Sequence, residues 1–319
     1  MSTVAKPRSD GAWRSTAYTD CRAVSAPQAT LLPDGRRLHL QHGPIDLVIE
    51  AFGDKHETGA AYRQARDRFG SVLSELVEEL VDLRRPVREP RWQPAGTIAA
   101  RMMRAVWPHR GNFVTPMAAV AGAVADEMMD ALVAGRDLEK AYINNSGDIA
   151  VYLTPGASLR LGIVGEIFDA SIDGTAELNF DRPVRGLATS GWQGRSWSFG
   201  IADAVTVLAA DAAAADVAAT LIANAVNVNH PAIERAPASA LDDDTDLGDA
   251  LVTIAVGALD PGSVAAALDN GISAAARMVK DGSIAGAALF LCGEMRVAGD
   301  VETALLGHAA GAAPPILQV

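Results

Sequence analysis

A chain of 319 residues, 49% apolar but only 5% aromatic, can bury a large core of Ala, Val, Leu and Ile in close-packed layers. Its formal net charge of −12 argues against nucleic acid or an anionic membrane as the main partner, while leaving room for a small anion in a local pocket. Cys21 and Cys292 lack metal-ligand spacing and are expected as free thiols. No run approaches the roughly 18 apolar residues of a membrane span, and residues 1–13 lack a signal-peptide core, so a cytoplasmic protein is expected.

In chain order, residues 1–12 read as a disordered tail and 13–319 as a single domain. Arg36–Gln41 and Ile45–Ala51 predict two strands about a tight His42-Gly43-Pro44 turn. Glu57–Leu83 predicts a long amphipathic helix with Leu73, Leu76, Val77 and Leu80 on its buried face and Gly70 as a point of interruption. Arg84–Pro94 is an extended connection, and Ile98–Val106 a short helix stopped by Pro108. Thr115 is placed to cap a helix that starts at Pro116 and runs to about Leu132. Its first ten residues are apolar on all sides, which sets it in the middle of the protein. Its N-terminus offers unpaired N–H groups to an anion; equally, Thr115 simply caps a core helix.

Ala141–Asn144 and Ile149–Leu153 flank Asn145-Ser146-Gly147-Asp148, a turn of residue types that tolerate positive φ. Leu159–Val164 and Thr175–Phe180 read as further strands, so strands follow one another instead of alternating with helices. His230–Gly248, with Asp242-Asp243-Asp244, reads as an exposed loop whose charges are solvated. Leu251–Leu259 is a strand, Asp260 caps a helix to about Lys280, and Ala285–Arg296 is a closing strand. The expected class is α+β, with mainly antiparallel sheets backed by Ala-rich helices and a loose recurrence between two halves.

The most informative stretch is Gly186–Asn227. A strand over Val184–Thr189 gives way to a turn of small residues through Ser196, a second strand covers Ala204–Ala209, and a helix spans about Ala213–Val226. The polar residues of that helix, Asp216, Thr220 and Asn224, continue to Asn227 at spacings of four, four and three, which places them on one stripe. A buried carboxylate must be paired, hydrogen-bonded or bound to a cation, so the stripe has a partner in protein, metal or ligand. Asp216 and Thr220 offer two hard oxygens of the kind Mg²⁺ or Ca²⁺ prefers; hydrogen bonding to a neighbouring loop explains the stripe equally well. Asp148 is either a turn residue or points into a site, Thr189 and Ser190 either end a strand or cradle an oxyanion, and Arg195 suits a carboxylate or phosphate. No zinc, Walker, nucleophile-elbow or Rossmann signature is present, and no histidine lies between residues 110 and 229.

Three blocks resemble the ApbE-like superfamily, whose named member is a magnesium-dependent flavin transferase. Asn144–Asp148 is similar to its Asn-x-Gly-Gly-Asp turn, with Ser146 in place of a glycine; Leu187–Gly191 is similar to its Ala-Thr-Ser-Gly strand end; Val205–Thr220 is similar to its strand followed by Ala-Asp-Ala-x-x-Thr. The segment Phe113–Gly122 is closer to the UPF0280 branch of the superfamily. The resemblance implies a tunnelling fold that binds planar rings, and magnesium on Asp216 and Thr220. One departure bears on activity: the family's His-x-x-Asp-Pro-x-x-Gly block corresponds to Ser196–Asp203, which holds no histidine, so bound flavin is not the first expectation.

The leading expectation is therefore a homo-oligomeric enzyme acting on a small planar heterocycle or its carboxylated derivative, by hydrolytic opening of a cyclic amide. Asp148, Thr189 and Ser190 are the catalytic candidates. Thr115, Asn145, Arg195 and Ser196 are the substrate-binding ones, and Asp216 and Thr220 the magnesium ligands. The alternative is a flavin- or nucleotide-binding protein or a magnesium-dependent FMN transferase.

Overall fold

The structure is a computed structural model and describes residues 26–163 and 174–301. The tail expected at 1–12, Cys21, and Val164 at the end of an expected strand lie outside these residues.

Alternation of buried and open side chains writes the first hairpin: β2 (Leu38–His42) turns inward Leu38, Leu40 and His42, and pairs with β1 (Gln28–Leu31) and β3 (Ile45–Gly53). The chain then leaves the sheet through α1 (Lys55–Glu78), α2 (Leu80–Leu83), α3 (Thr97–Val106) and α4 (Val120–Val133). It returns as β4 (Leu138–Asn145) and β5 (Asp148–Leu153). A small hairpin of β6 (Ser158–Ile163) and β7 (Gly174–Asn179) precedes β8 (Gly186–Ser190) and β9 (Ala204–Ala209). From there α5 (Ala212–Ala225), a second small hairpin of β10 (Ile233–Pro237) and β11 (Leu251–Val256), and α6 (Pro261–Lys280) lead to β12 (Gly286–Leu291) and β13 (Glu294–Gly299).

The main sheet runs β1-β2-β3-β4-β5-β8-β9-β12-β13, antiparallel throughout. Its narrowest ladder is internal. β5 and β8 share only the register pairs Ile149↔Leu187 and Ala150↔Gly186, against six between β4 and β5. The helices cover one face. Side chains such as Phe69, Met102, Met128 and Ile143 form the core under α1, α3 and α4, and Val205, Val207, Ile222 and Leu268 the core under α5 and α6. The intervening residues Tyr142, Val151, Leu187 and Leu208 face the other way, into a core shared with Leu159, Leu161 and Leu178 of the β6–β7 hairpin.

The near absence of large side chains on α4 and α5 has a geometric purpose: the two backbones touch. A Cβ on Gly122 would lie 2.2 Å from the Ala212 carbonyl oxygen; the loop between β8 and β9 comes as close to α5, where a Cβ on Gly200 would lie 2.0 Å from the Ala223 carbonyl oxygen.

Several expectations are corrected. α1 runs through Gly70 and breaks at Glu79 instead; its buried face is Ala61, Ala65, Phe69, Val72 and Leu76, while Val77 is exposed, because the helix is phased by its Ala and Phe residues and not by the leucines of its last turns. Ala285–Arg296 is a hairpin, since Cys292 and Gly293 adopt φ of 51° and 77° and reverse the chain. The stretch 230–248 is not all loop: Ile233–Pro237 pairs with β11 despite its prolines, which an edge strand tolerates. Pro116–Ala119 forms a 3₁₀ turn before α4, and the Thr115 side chain makes no capping bond.

Candidate functional site

The polar stripe of α5 is satisfied from three directions. At its far end, the Asn224 Oδ1 accepts from the Phe199 amide at 2.8 Å and from Ser198 Oγ at 3.0 Å. Asn227 Nδ2 donates to the Phe199 carbonyl at 2.8 Å and its Oδ1 accepts from Arg235 at 2.6 Å. These bonds fix the loop between β8 and β9 onto the helix. At the near end, Asp216 Oδ2 accepts from the Gly122 amide at 3.0 Å, in the first turn of α4. That is a helix N-terminus bound by a carboxylate, as the dipole favours. Thr220, between them, has no hydrogen-bond partner among the described residues.

α4 returns the bond. Asp126 Oδ1 and Oδ2 accept from the Ala212 and Ala213 amides at 3.0 and 2.9 Å, so each helix supplies the carboxylate that caps the other. The Gly122 contact makes this exchange possible, because any larger residue would hold the two backbones apart. Asp126 is a residue that sequence reasoning missed. It ends an apolar run of nine residues and is followed at once by Glu127, which bonds Arg68 and Arg101 on the other side of the helix.

The hairpin from β4 to β5 brings a third carboxylate. Ser146 and Gly147 take φ of 59° and 110°, and the Asn144 side chain accepts the Gly147 amide at 2.8 Å, which closes the tight turn expected there. By strand alternation Asn145 and Asp148 face the helices. Asn145 Nδ2 donates to the Ala121 carbonyl at 3.0 Å, tying the turn to the start of α4 beside Asp216. Asp148 has no hydrogen-bond donor among the described residues. Burial raises its pKa well above the ordinary value, and the adjacent Asp216 charge raises it further. Burial lifts Asp216 to about 7 against the pull of the Gly122 and Ala121 amides, and lifts Asp126 to about 6. Asp148 and Asp216 keep a little open surface but are surrounded on nearly every side, so burial dominates both.

The other predicted residues divide. Ser190, at the end of β8, faces the helices like Asp148, and Arg195 donates to Ser146 Oγ at 2.7 Å from the following loop. Thr189 lies on the opposite face, where its hydroxyl meets that of Thr206 at 2.9 Å. Ser196 is exposed and makes no side-chain bond among the described residues. Thr115 is buried and bonds Asp246, while Arg84 Nη2 donates to Asp244 at 2.7 Å. The acidic loop therefore folds back onto the entry to α4. Asp203, also missed, accepts from the Cys292 amide at 2.6 Å and the Trp192 indole at 3.3 Å, and burial raises its pKa.

Two adjacent carboxylates with raised pKa values and too few donors hold either a proton or a cation. The described residues contain no group of three or more His, Cys, Asp or Glu arranged for a metal. A hard cation here would rest on Asp216, the Thr220 hydroxyl and the oxygens of a bound phosphate, which is how Mg²⁺ is usually held. The donor chemistry fits magnesium.

The family model described as AbpE bacteria matches residues 29–297. A UPF0280 protein of Methanopyrus kandleri is 36% identical over 218 residues, covering 66% of this chain and 83% of the relative. Those of Methanothermobacter thermautotrophicus and Methanothrix thermoacetophila are 36% and 41% identical over 166 and 116 residues, covering 50% and 35% of this chain and 62% and 46% of the relatives. Among solved structures, the apo form of the Pseudomonas stutzeri flavinyl transferase ApbE is similar with a TM-score of 0.44 and 12% identity, over 86% of this chain and 95% of that one. No helix among the described residues is long and apolar enough to cross a membrane.

Proposed function

The chain belongs to the ApbE-like family, in its UPF0280 branch, and from that premise we propose that it is a magnesium-dependent flavin-nucleotide transferase. The observation that carries this reading is Asp148, a deeply set carboxylate without a donor, against Asp216 at the mouth of α4. A cation held by Asp216 and Thr220 would supply positive charge against a pyrophosphate and would favour the ionised form of Asp148. Arg195, exposed on the next loop, draws the anionic group in. Ser190 and Asn145 lie on the same face of the sheet as Asp148 and would position it.

In the reaction, the acceptor hydroxyl oxygen bonds to the flavin-side phosphorus and the pyrophosphate P–O bond breaks. AMP leaves, and the hydroxyl proton passes to the Asp148 carboxylate. Asp148 takes this part because Ser196–Asp203 offers no histidine, and Ser198 is committed to Asn224 and the Gly200 amide. The ring-opening hydrolase expected from the sequence lacks support: Thr189 is bonded to Thr206 on the far face of the sheet, and no nucleophile–base pair forms at Ser190 among the described residues. The finer fold reading belongs to the same proposal: a single domain over 13–319, a tunnelling fold of two related halves, and a homo-oligomer. The two-halves part is supported by β2–β3 and β8–β9, each followed by helices and then a further hairpin of the main sheet, β4–β5 and β12–β13.

The test is FAD binding with magnesium and with EDTA, followed by AMP release in the presence of a Ser/Thr peptide. We expect magnesium-dependent binding that Asp216→Asn removes, and turnover that Asp148→Asn removes while binding stays. Binding indifferent to EDTA and to Asp216→Asn would overturn the reading.

A further inference from the structure

Phe113 is exposed by 47% although the two residues after it are fixed. Val114 is buried and its carbonyl accepts the Val87 amide at 2.8 Å, and Thr115 is buried against Asp246. Phe113 is therefore the open residue beside two buried ones. Its ring meets that of Phe199 edge-to-face, with centroids 6.0 Å apart and planes at 60°. Phe199 is held in turn by both of its peptide groups, the amide on Asn224 and the carbonyl on Asn227. Two aromatic rings thus meet at the far end of the stripe that starts at Asp216. The eight residues from Asp216 to Asn224 set the two ends about 12 Å apart along α5. A sugar or ribityl chain with its phosphates spans such a distance.

Building on the nucleotide reading above, we propose that Phe113 and Phe199 form the platform on which the planar ring of the nucleotide stacks, while its pyrophosphate lies at Asp216 and Thr220. Stacking on an aromatic side chain is indifferent to ring identity and contributes enough to be read in affinity. Phe113 is the ring whose removal is informative, because its exposure leaves little packing to lose.

The experiment titrates the full chain in magnesium with three probes: FAD, ADP and inorganic pyrophosphate. In Phe113→Ala, FAD and ADP affinity should fall about tenfold while pyrophosphate is unchanged; Phe113→Tyr should restore both. Unchanged FAD and ADP affinity overturns the platform. Equal weakening of all three probes also overturns it, since the residue would then act through the fold. Wild-type protein that binds ADP but not FAD removes the flavin reading and leaves Phe113→Ala on ADP to decide the platform. Wild-type protein that binds neither overturns both.

Discussion

Asp126 and Asp216 do the same job on opposite sides of one helix contact, and only one of them does it beside a further carboxylate that has no donor. Both reach across from their own helix to the first turn of the other. Asp126 spends both oxygens on two amides and is 8% exposed. Asp216 likewise answers two amides, those of Gly122 and Ala121, but Asp148 stands next to it without any donor. The difference shows where a capping carboxylate ends and a site begins: at the point where charge exceeds the donors that the fold supplies.

The bluntest way to break the comparison is to force the helices apart. Gly122→Ala sets a Cβ 2.2 Å from a backbone oxygen that cannot rotate away, and should cost more than about 3 kcal/mol in urea unfolding. A variant as stable as wild type would mean the α4–α5 contact is looser than described. Next, Asp126→Ala leaves two amides of α5 unpaired and should cost about 2–4 kcal/mol, with the response to magnesium intact. Asp216→Asn should show the reverse. Without metal its stability stays within about 1 kcal/mol of wild type, because a repulsive neighbour of Asp148 is removed as a bond is weakened. It should lose the roughly 2.7 kcal/mol that magnesium gives wild type at a hundredfold excess over Kd. If Asp126→Ala, and not Asp216→Asn, abolished the magnesium response, the two roles would have to be exchanged.

The pH dependence sharpens the same contrast with a smaller effect. These carboxyls titrate higher in the folded chain than the ordinary 3.8, at about 6 for Asp126 and about 7 for Asp216. Across that window the folded state binds more protons than the unfolded one, so their contribution is complete below pH 3.8 and declines as pH rises to about 7. In EDTA, melting temperature should fall over this range, and Asp148→Asn or Asp216→Asn should flatten the fall. Magnesium competes with those protons, so its affinity should rise over the same range. A slope unchanged in both variants would show that other groups carry it.

Much of this was legible in the chain because it is local. The spacing of Asp216, Thr220, Asn224 and Asn227 marks one helical face, and the Asn145–Asp148 turn follows from residue types that accept left-handed backbone. The Asp260 cap is likewise written in sequence: it accepts the Ser263 amide at 3.0 Å. What could not be read was long-range. Asp126 meets Ala212 across 86 residues, and nothing near either position announces the other. Asp246 and Thr115 meet across 131 residues, so the loop reaches a buried hydroxyl through one side chain while Asp242, Asp243 and Asp244 stay exposed as read. Thr189 and Ser190 are adjacent in the motif, yet strand alternation sends them to opposite faces. The motif names both and the sheet keeps one.

The short ladder between β5 and β8 gives the sheet a line of weakness through its middle. Asp148 opens one strand at that line, and Ser190 closes the other. With so few shared bonds, opening there requires little of the structure on either side to unravel, and the Val151 amide, bonded across the line to the Arg185 carbonyl at 2.8 Å, should exchange its hydrogen sooner than the amides of β4. Whatever binds against both strands stitches that line shut. Occupancy would then be written into exchange rates along the whole width of the sheet, far from any atom the ligand touches.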